Sequence, residues 1–487
     1  MLIALILVPA AAGLLAFFIR RDDLRRALLL ATAIAHTAMT AIAVFGRVPV
    51  APMEGWLAMD AVGLLFLAIT STLFLCAALY AVGYLAREIR DEHRDIEEGL
   101  LFANAPEAVF TGCLLLFLST MTLVTVSQHF GLLWVGVEGT TLATAPLIYF
   151  HHHHRSLEAA WKYLLICSIG IAIALLGNFF LAVAATRESG MPDPLVVQAL
   201  LQHAARLNVP WLQAAFLCLL VGYGTKMGLA PMHTWLPDAH SEAPSVVSAL
   251  LSGALLNCAF LGILRVQQVM EAAGQALFGR QLLVGFGLVS LGFAAAFILR
   301  QPDYKRMLAY SSVEHMGILA LGVGLAGAGT FGAMLHSINH SLSKAMLFLV
   351  AGNILAAYRT KSASEVHGVT RTLPVSGTLW VAGFLAITGS PPFGTFLSEF
   401  TILRAALDQH RPGVAIMYLG LLGLIFVGMA SITLKMAQGP ASKHAKEPLF
   451  SILPPAVLAI PVLVLGVYIP PPLSRALQEI AHTLGGS

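Results

Sequence analysis

The sequence has 487 residues, of which 58% are hydrophobic and 11% are charged. A soluble chain carries about 25% charged residues, so 28 Lys and Arg with 25 Asp and Glu are too few to cover a water-facing surface of this size. The mean hydropathy of +0.81 predicts a multi-pass membrane protein, and the net charge of +3 argues against nucleic acid as a partner.

Apolar stretches long enough to cross a bilayer follow one another along the chain. A helix rises about 1.5 Å per residue, so about 20 residues span a hydrocarbon core of about 30 Å. The sequence therefore predicts an all-α membrane protein with about 14 transmembrane helices, since barrel strands would be short and alternating. The predicted spans are Leu2–Ile19, Ala27–Phe45, Leu57–Ala86, Ala108–Ser127, Gly131–Phe150, Ala160–Ala185, Trp211–Ala230, Ser245–Met270, Gln281–Leu299, Arg306–Gly327, Thr330–Tyr358, Leu373–Leu407, Val414–Met436 and Leu449–Ile469.

The positions of Lys and Arg predict the orientation. One set of loops, which includes the loop with Arg20 and Arg21, carries 18 Lys and Arg residues. The loops on the opposite side carry 8. The remaining two, Lys226 and Lys344, lie inside spans. Since cytoplasmic loops are enriched in positive charge, both termini are predicted on the non-cytoplasmic side of the cell (inner) membrane. The first span has no basic leader or cleavage motif, so we expect a retained helix.

Two predicted spans are interrupted in the same way. Gly and Pro fall next to an ionisable residue at Gly222–Pro231, which contains Lys226, and at Ile387–Thr395, which precedes Glu399. Such breaks at corresponding positions indicate repeated halves around an ion path, and an offset of five spans makes the second half inverted. Two unrelated proline kinks are the alternative. The predicted units are residues 1–107 with helices 1 to 3, a first repeat at 108–270 with helices 4 to 8, a second repeat at 281–436 with helices 9 to 13, and 437–487 with helix 14.

Ionisable residues inside spans are functional candidates, because a charge at the bilayer centre costs about 2.5–3.5 kcal/mol on insertion scales. Glu138 stands alone in an apolar span and is followed by Gly139. Lys226 needs an anionic partner, and Glu138 on a neighbouring span is the expected one. The two are predicted to form a proton site with two states. The alternative for Glu138 is a protonated carboxyl that hydrogen-bonds across a helix interface.

The predicted eleventh span carries a ladder of ionisable residues. His336, His340 and Lys344 are spaced by four, so they share one helical face, which predicts a hydrated proton path. A metal site is the weaker alternative, because no carboxylate or third histidine lies on that helix. Glu314 and His315 on the tenth span can connect to this ladder, unless one of them faces away as adjacent helix positions do.

The sequence carries no motif for covalent chemistry. It has no phosphate-binding glycine loop, no metalloprotease histidine pair and no Gly-x-Ser-x-Gly elbow. The five cysteines are isolated within apolar segments, without the spacing of a zinc or iron–sulfur site. We therefore predict no catalytic residue, no metal ligand and no cofactor within this chain.

Four motifs resemble the antiporter-like membrane subunits of respiratory complex I, group 4 [NiFe] hydrogenases and Mrp-type sodium/proton antiporters. They are GYGTKMGLAPMHTWLPDAHSEAP at Gly222–Pro244, LAYSSVEHMG at Leu308–Gly317, INHSLSKAMLFLVAGNI at Ile338–Ile354 and SPPFGTFLSEF at Ser390–Phe400. The stretch Ser156–Phe180 is most similar to the F component of hydrogenase-4, part of formate hydrogenlyase-like complexes.

The resemblance implies a proton path. Glu138 and Lys226 would be its coupled pair, Lys344 with His340 its central connection and Glu399 its exit-side acceptor. Relatives of the complex I type have Lys at the position of Asn257, and Asn carries no proton charge. Asn257 is therefore expected to act as a hydrogen-bonding position beside water, unless the pump is altered or silent.

Two functions remain open at this stage. The first is a non-catalytic proton-channel subunit of a hydrogenase-like or NADH:quinone oxidoreductase-like complex, whose other membrane subunits and peripheral arm carry the Ni–Fe and iron–sulfur centres. The second is a component of an Mrp-type cation/proton antiporter, or of another ion-transport complex, without a redox role.

Overall fold

The computed structural model describes residues 1–46, 55–88, 93–94, 101–186, 194–440 and 445–485. Within these ranges the chain forms twenty α-helices and one antiparallel pair of two-residue strands, β1 (His93–Arg94) and β2 (Leu101–Phe102), in which His93 is opposite Phe102. The helices are α1 (Leu2–Phe18), α2 (Asp22–Phe45), α3 (Ala61–Leu85), α4 (Glu107–Val126), α5 (Phe130–Ile148), α6 (His154–Ala184), α7 (Val197–Gln202), α8 (Val209–Met227), α9 (Trp235–Glu242), α10 (Ser245–Leu250), α11 (Leu256–Ala272), α12 (Ala276–Ile298), α13 (Tyr304–Leu325), α14 (Ala328–Tyr358), α15 (Val369–Thr372), α16 (Pro374–Ile387), α17 (Gly394–Asp408), α18 (Pro412–Ala437), α19 (Leu449–Val467) and α20 (Pro471–Thr483).

The prediction of an all-α membrane protein is confirmed. Eleven helical segments in the described ranges are long and apolar enough to cross a membrane, with α10 and α11 forming one of them, and α1 and α16 are shorter apolar helices. Each of the fourteen predicted spans overlaps a described helix or a pair of helices. The predicted position of the C-terminus concerns residues 486–487, which lie outside the described ranges.

Both predicted interruptions are present as breaks in helices. Helix α8 ends at Met227, the next residue, Gly228, has a left-handed φ of +86°, and the chain turns before α9 begins at Trp235. The predicted twelfth span is two helices, since α16 ends at Ile387 and α17 begins at Gly394. One irregularity has no sequence signal: residues Leu251–Leu255 between α10 and α11 form a π-helical turn.

The helix starts follow local capping chemistry. The carboxylate of Asp60 accepts a hydrogen bond from the backbone N–H of Gly63 at the start of α3, and Asp303 accepts from the N–H groups of Lys305 and Arg306 at the start of α13. Each cap satisfies donors that a helix leaves unpaired in its first turn. These caps fix where α3 and α13 begin.

The core lies around α10, α11, α13 and α14. Residues 245–270 are buried without exception, and α14 packs against α13, α16, α17 and α19. Peripheral helices instead expose large apolar side chains, with Phe18 81% and Phe45 88% exposed. Because such surfaces are unfavourable in water, the outer helices face lipid and the four inner helices form a protein-lined interior.

Candidate functional site

Glu138 and Lys226, the predicted pair, meet through a threonine. Lys226 Nζ donates a hydrogen bond to Thr141 Oγ1 at 2.8 Å, and Thr141 Oγ1 donates to Glu138 Oε2 at 3.2 Å. All three residues belong to the described part of the chain, in which the ammonium and the carboxylate make no direct contact within 4.0 Å. The pair is therefore an ammonium, a hydroxyl and a carboxylate in series.

Lys226 is fully buried and is held by neutral groups. Its Nζ donates to the hydroxyl of Tyr163 at 2.6 Å and lies 4.4 Å from the centre of the Tyr163 ring. Thr144 Oγ1 gives its proton to the Thr140 carbonyl, so it accepts the Tyr163 proton at 2.6 Å. The phenol oxygen is thus free to accept from Lys226. Oxygen lone pairs and a π face partly replace the hydration that the ammonium loses on burial.

Close packing of α6 on α8 brings Tyr163 and Lys226 together. A Cβ atom placed on Gly222 of α8 would lie 2.6 Å from the backbone nitrogen of Ala174 on α6, and one on Gly170 would lie 2.7 Å from Thr225. Only residues without a side chain allow helix backbones to approach this closely. Lys226 also lies in the last turn of α8, where the negative end of the helix dipole favours a cation.

Glu138 differs from Lys226 in exposure. It is half-buried on α5, whereas Lys226 has no exposed surface. Its second carboxylate oxygen, Oε1, accepts a hydrogen bond from Ser168 Oγ at 3.1 Å. The carboxylate therefore lies at the edge of the protein interior and the ammonium lies inside it.

The central ladder is buried on α14 and extended by α13. His336, His340 and Lys344 have no exposed surface. The ring of His315 on α13 lies 5.0 Å, centre to centre, from both the His336 and His340 rings. Glu314 is buried as well, at 2% exposure, because α13 is almost wholly enclosed by protein. The structure thus brings His315 into the ladder, and neither Glu314 nor His315 faces lipid.

The hydrogen bonds define which nitrogens of two histidines carry protons. Ser398 Oγ donates to the Thr395 carbonyl oxygen at 2.8 Å, so its lone pair accepts the Nδ1 proton of His336 at 2.9 Å. His336 Nε2 is then an acceptor, and it accepts from Nδ1 of His315, 2.9 Å away. The remaining nitrogen, His315 Nε2, makes no hydrogen bond of regular geometry among the described residues, and the Ile387 carbonyl oxygen is the backbone acceptor beside this ring.

Lys344 and Asn257 occupy the middle of the interior. Lys344 Nζ donates to the Leu308 carbonyl oxygen at 2.6 Å and to the Ser311 hydroxyl, both on α13. Asn257 Nδ2 donates to Ser341 Oγ of α14 at 2.8 Å, while its Oδ1 is buried without a partner in the described ranges. The predicted hydrogen-bonding position at Asn257 therefore contacts the ladder helix and keeps one unused acceptor.

Glu399 lies where α16 and α17 separate. It is 7% exposed, and its Oε1 has no hydrogen-bond partner among the described residues. A Cβ atom on Gly389, in the break, would lie 2.0 Å from Glu399 Oε2. Glu399, His315 and His336 each offer one ligand atom, and these atoms lie within 4.8 Å of one another. The sequence predicts no metal ligand in the chain, and its argument at the ladder considers the residues of one helix, whereas this group comes from three helices.

Several polar residues of the interior were not predicted. Thr141 and Tyr163 are ordinary members of apolar spans in sequence, and only the packing of α5, α6 and α8 shows their role. Lys305 has the sequence position of a loop charge, but it is 1% exposed and donates to the carbonyl oxygens of Ser241 and Ala243. The sequence feature that could have drawn attention to Lys305 was its position two residues after Asp303, a residue type that favours the start of a helix.

His240 is a second omission. It is fully buried, its ring stacks on Phe348 with centres 4.9 Å apart, and neither ring nitrogen has a hydrogen-bond partner in the described ranges. Its place within Gly222–Pro244, beside the acidic Asp238 and Glu242, was the sequence signal.

Comparison with known proteins identifies the family. The family described as NADH:quinone oxidoreductase/Mrp antiporter, TM, matches residues 127–426. The hydrogenase-4 component F homolog of Methylacidiphilum infernorum is 36% identical over 440 residues, which cover 88% of each chain. Among solved structures, a chain of the membrane-bound sulfane sulfur reductase, an archaeal respiratory membrane complex, superposes with a TM-score of 0.87 at 20% identity, covering 100% of this chain and 98% of that one. A chain of respiratory complex I from Thermus thermophilus gives 0.82 at 20% identity with full coverage of both, so the two structures support the fold. The chain belongs to the antiporter-like membrane subunits of the NADH:quinone oxidoreductase/Mrp antiporter family.

Proposed function

We propose that this chain is the proton-translocating membrane subunit of a respiratory-type redox complex, of the membrane-bound hydrogenase or formate hydrogenlyase kind. The observation that carries the proposal is the buried polar series from Lys226 through the α14 ladder to Glu399, inside a protein whose outer helices face lipid. Five ionisable side chains with no or little exposure are costly in a membrane interior, and they are retained where protons move.

The first part of the path is the Glu138, Thr141 and Lys226 series. A hydroxyl that accepts from the ammonium and donates to the carboxylate can pass a proton between them by exchanging its own. When Lys226 turns away, the hydroxyl and Glu138 are left without the cation. The series therefore has two states that differ in the position of one proton and one side chain.

The second part runs along α14. We propose that water beside Asn257 and Ser341 connects Lys226 to His340 and Lys344, since Asn257 Oδ1 has an unused lone pair there. From His340 the proton reaches the His315 ring, 5.0 Å away centre to centre, and His315 can pass its Nδ1 proton to His336. Glu399, in the same group, is the acceptor at the exit side, and Glu314 adjusts the local charge.

We also propose the arrangement in the membrane. The fourteen spans are α1 to α6, α8, the α10–α11 pair, α12, α13, α14, the α16–α17 pair, α18 and α19. Residues 108–270 and 281–436 are inverted five-helix repeats, flanked by 1–107 and 437–487, and both termini lie outside. The breaks after α8 and α16, each beside an ionisable residue, support this assignment.

The hydrogenase assignment is supported by the similarity to the component F homolog. In this proposal the chain lies in the cell membrane with other membrane subunits, binds no redox group itself and does not catalyse the redox reaction. Partner chains hold the Ni–Fe and iron–sulfur centres, and no nucleic acid is involved.

The test is proton movement in vesicles that contain the assembled complex, driven by its electron donor. Lys226→Ala and Glu138→Gln should each abolish proton uptake while electron transfer and assembly continue. The control is His36→Gln. His36 is also a buried ionisable residue of a membrane helix, but its ring nitrogens contact Ser71 and Thr122, which are not residues of the proposed path. Proton uptake at the wild-type rate in Lys226→Ala would disprove the path.

A second candidate function is an Mrp-type cation/proton antiporter component, favoured by the shared family. Purification of the native complex separates the two. Nickel, iron and acid-labile sulfide in the partner chains select the redox complex. Partners without these elements, together with sodium-dependent proton exchange in vesicles, select the antiporter.

A further inference from the structure

We propose that His315, His336 and Glu399 form a binding site for a zinc-like divalent metal ion at the exit end of the polar interior. One ligand atom from each residue lies within 4.8 Å of the others, and the three side chains are buried. They come from α13, α14 and α17, so the site exists only in the folded chain. The metal site goes beyond the proposed transport function and does not depend on it.

The ligand atoms are available for coordination. His336 donates its Nδ1 proton to Ser398 Oγ, which leaves its Nε2 lone pair facing His315. A histidine that binds a metal commonly donates its other ring N–H in this way, which fixes the orientation of the ring. Glu399 Oε1 is buried without a hydrogen-bond partner among the described residues, and His315 offers one ring nitrogen to the same group. A metal ion would satisfy the Glu399 oxygen.

The ligand set selects the ion. Two imidazole nitrogens with one carboxylate oxygen suit Zn²⁺, which then keeps a fourth position for water, whereas Ca²⁺ and Mg²⁺ prefer oxygen ligands alone. Ligand atoms about 2.1 Å from a tetrahedral ion are about 3.4 Å apart. Closing a gap of 4.8 Å to that spacing needs side-chain shifts of about 1 Å or less.

Metal binding would break the hydrogen bond between the two histidines, because the ion takes the His336 Nε2 lone pair that now accepts from His315. The ion also occupies Glu399. If the proposed proton path is correct, zinc therefore removes three of its groups at once and inhibits transport. This consequence, unlike the site itself, rests on the proposed function.

Equilibrium zinc binding to the purified full-length chain tests the site directly, by competition with a fluorescent chelator. We expect His336→Gln and Glu399→Gln each to weaken zinc binding at least 10-fold. His36→Gln is the control, because it also removes one buried membrane histidine but not from this group. Unchanged affinity in both site variants, or an equal loss in the control, would overturn the site.

X-ray absorption at the zinc edge of the wild-type chain identifies the zinc ligands even where a variant does not fold. The site predicts two imidazole nitrogens and carboxylate oxygen about 2.0–2.1 Å from the metal. Coordination by nitrogen alone would assign the zinc to another histidine group, such as the consecutive histidines at 151–154, and overturn the proposal.

A transport assay separates the two proposals. Zinc that binds with the predicted ligands and inhibits wild-type proton movement over the same range of zinc concentrations as it binds supports both of them. Zinc that binds with those ligands while wild-type transport is unaffected supports the metal site and contradicts the proposed exit path.

Discussion

Glu138 and Lys226 are joined through one hydroxyl, that of Thr141, and not by a direct ion pair. A direct buried ion pair would hold both charges in place, because separating them exposes each to the full cost of burial. An intervening hydroxyl lowers that cost, since it keeps one hydrogen bond to whichever partner remains. The arrangement therefore suits a site that must open and close.

The first prediction concerns this hydroxyl. Thr141→Val keeps the shape of the side chain but removes both hydrogen bonds, so we expect proton transport to fall at least 10-fold. Thr141→Ser keeps the hydroxyl and should retain most of the rate. The control is Thr111→Val, since Thr111 is equally buried but its hydroxyl has no partner among the described residues. Vesicle proton uptake measures all three. Equal rates in Thr141→Val and the wild type would remove the hydroxyl from the path.

The second prediction concerns Asn257. Its amide donates to Ser341 on the ladder helix, and its Oδ1 is the unused acceptor on which the proposed water connection depends. Asn257→Leu removes both without adding a charge and should reduce transport several-fold, while Asn257→Gln keeps the amide and should be less affected. Asn178→Leu is the control, since Asn178 donates to the Phe130 carbonyl on a different helix pair. A full rate in Asn257→Leu would mean that the path bypasses α11.

The sequence was sufficient for the long apolar helices and for the ionisable residues in the middle of predicted spans, for a physical reason. Apolar length and the rarity of charge in membrane spans are local properties, so Lys226, His336, His340, Lys344 and Glu399 stand out without any knowledge of contacts. The breaks after α8 and α16 were likewise visible as glycine and proline.

Contacts between residues of different helices could not be predicted from the sequence in this way. Thr141 matters only because α5 and α8 place it between two charges, and His315 joins the ladder only because α13 packs on α14. The π-helical turn at Leu251–Leu255 depends on packing and has no residue signature. Glu399 approaches the two histidines across three helices, which no spacing rule within one helix detects.

The third prediction concerns stability. Arg265 is 1% exposed and forms a two-point ion pair with the carboxylate of Asp60, which also caps α3. Asp60→Asn leaves the guanidinium buried without a counter-charge, and we expect about 2 kcal/mol lower stability, since Asp60 itself reaches solvent. Asp408→Asn is the control, because the Arg404–Asp408 pair is largely exposed and should change stability by less than about 0.5 kcal/mol. Thermal unfolding in detergent measures both, and equal values would contradict the role of Asp60.

The same ion pair predicts a pH dependence. Burial alone would raise the pKa of Asp60, but attraction and hydrogen bonds from Arg265 outweigh it and hold that pKa below its usual range. A carboxylate with a lowered pKa stabilises the folded state above its unfolded value, about 3.9, and the contribution disappears as pH falls through the lower folded value. Wild-type stability should therefore decline more steeply than that of Asp60→Asn below about pH 4. Parallel curves would contradict the expected shift.

The last prediction concerns the break between α16 and α17. Gly389 has a φ of +61°, and a Cβ atom there would lie 2.0 Å from Glu399 Oε2. Gly389→Ala must therefore strain the backbone and push the Glu399 carboxylate away from His315 and His336. We expect proton transport to fall at least 10-fold while the complex still assembles. Gly420→Ala in α18 is the control, because a Cβ atom there meets nothing within 4 Å in the described ranges and alanine favours helix. Transport at the control rate in Gly389→Ala would mean that the position of Glu399 does not limit proton movement.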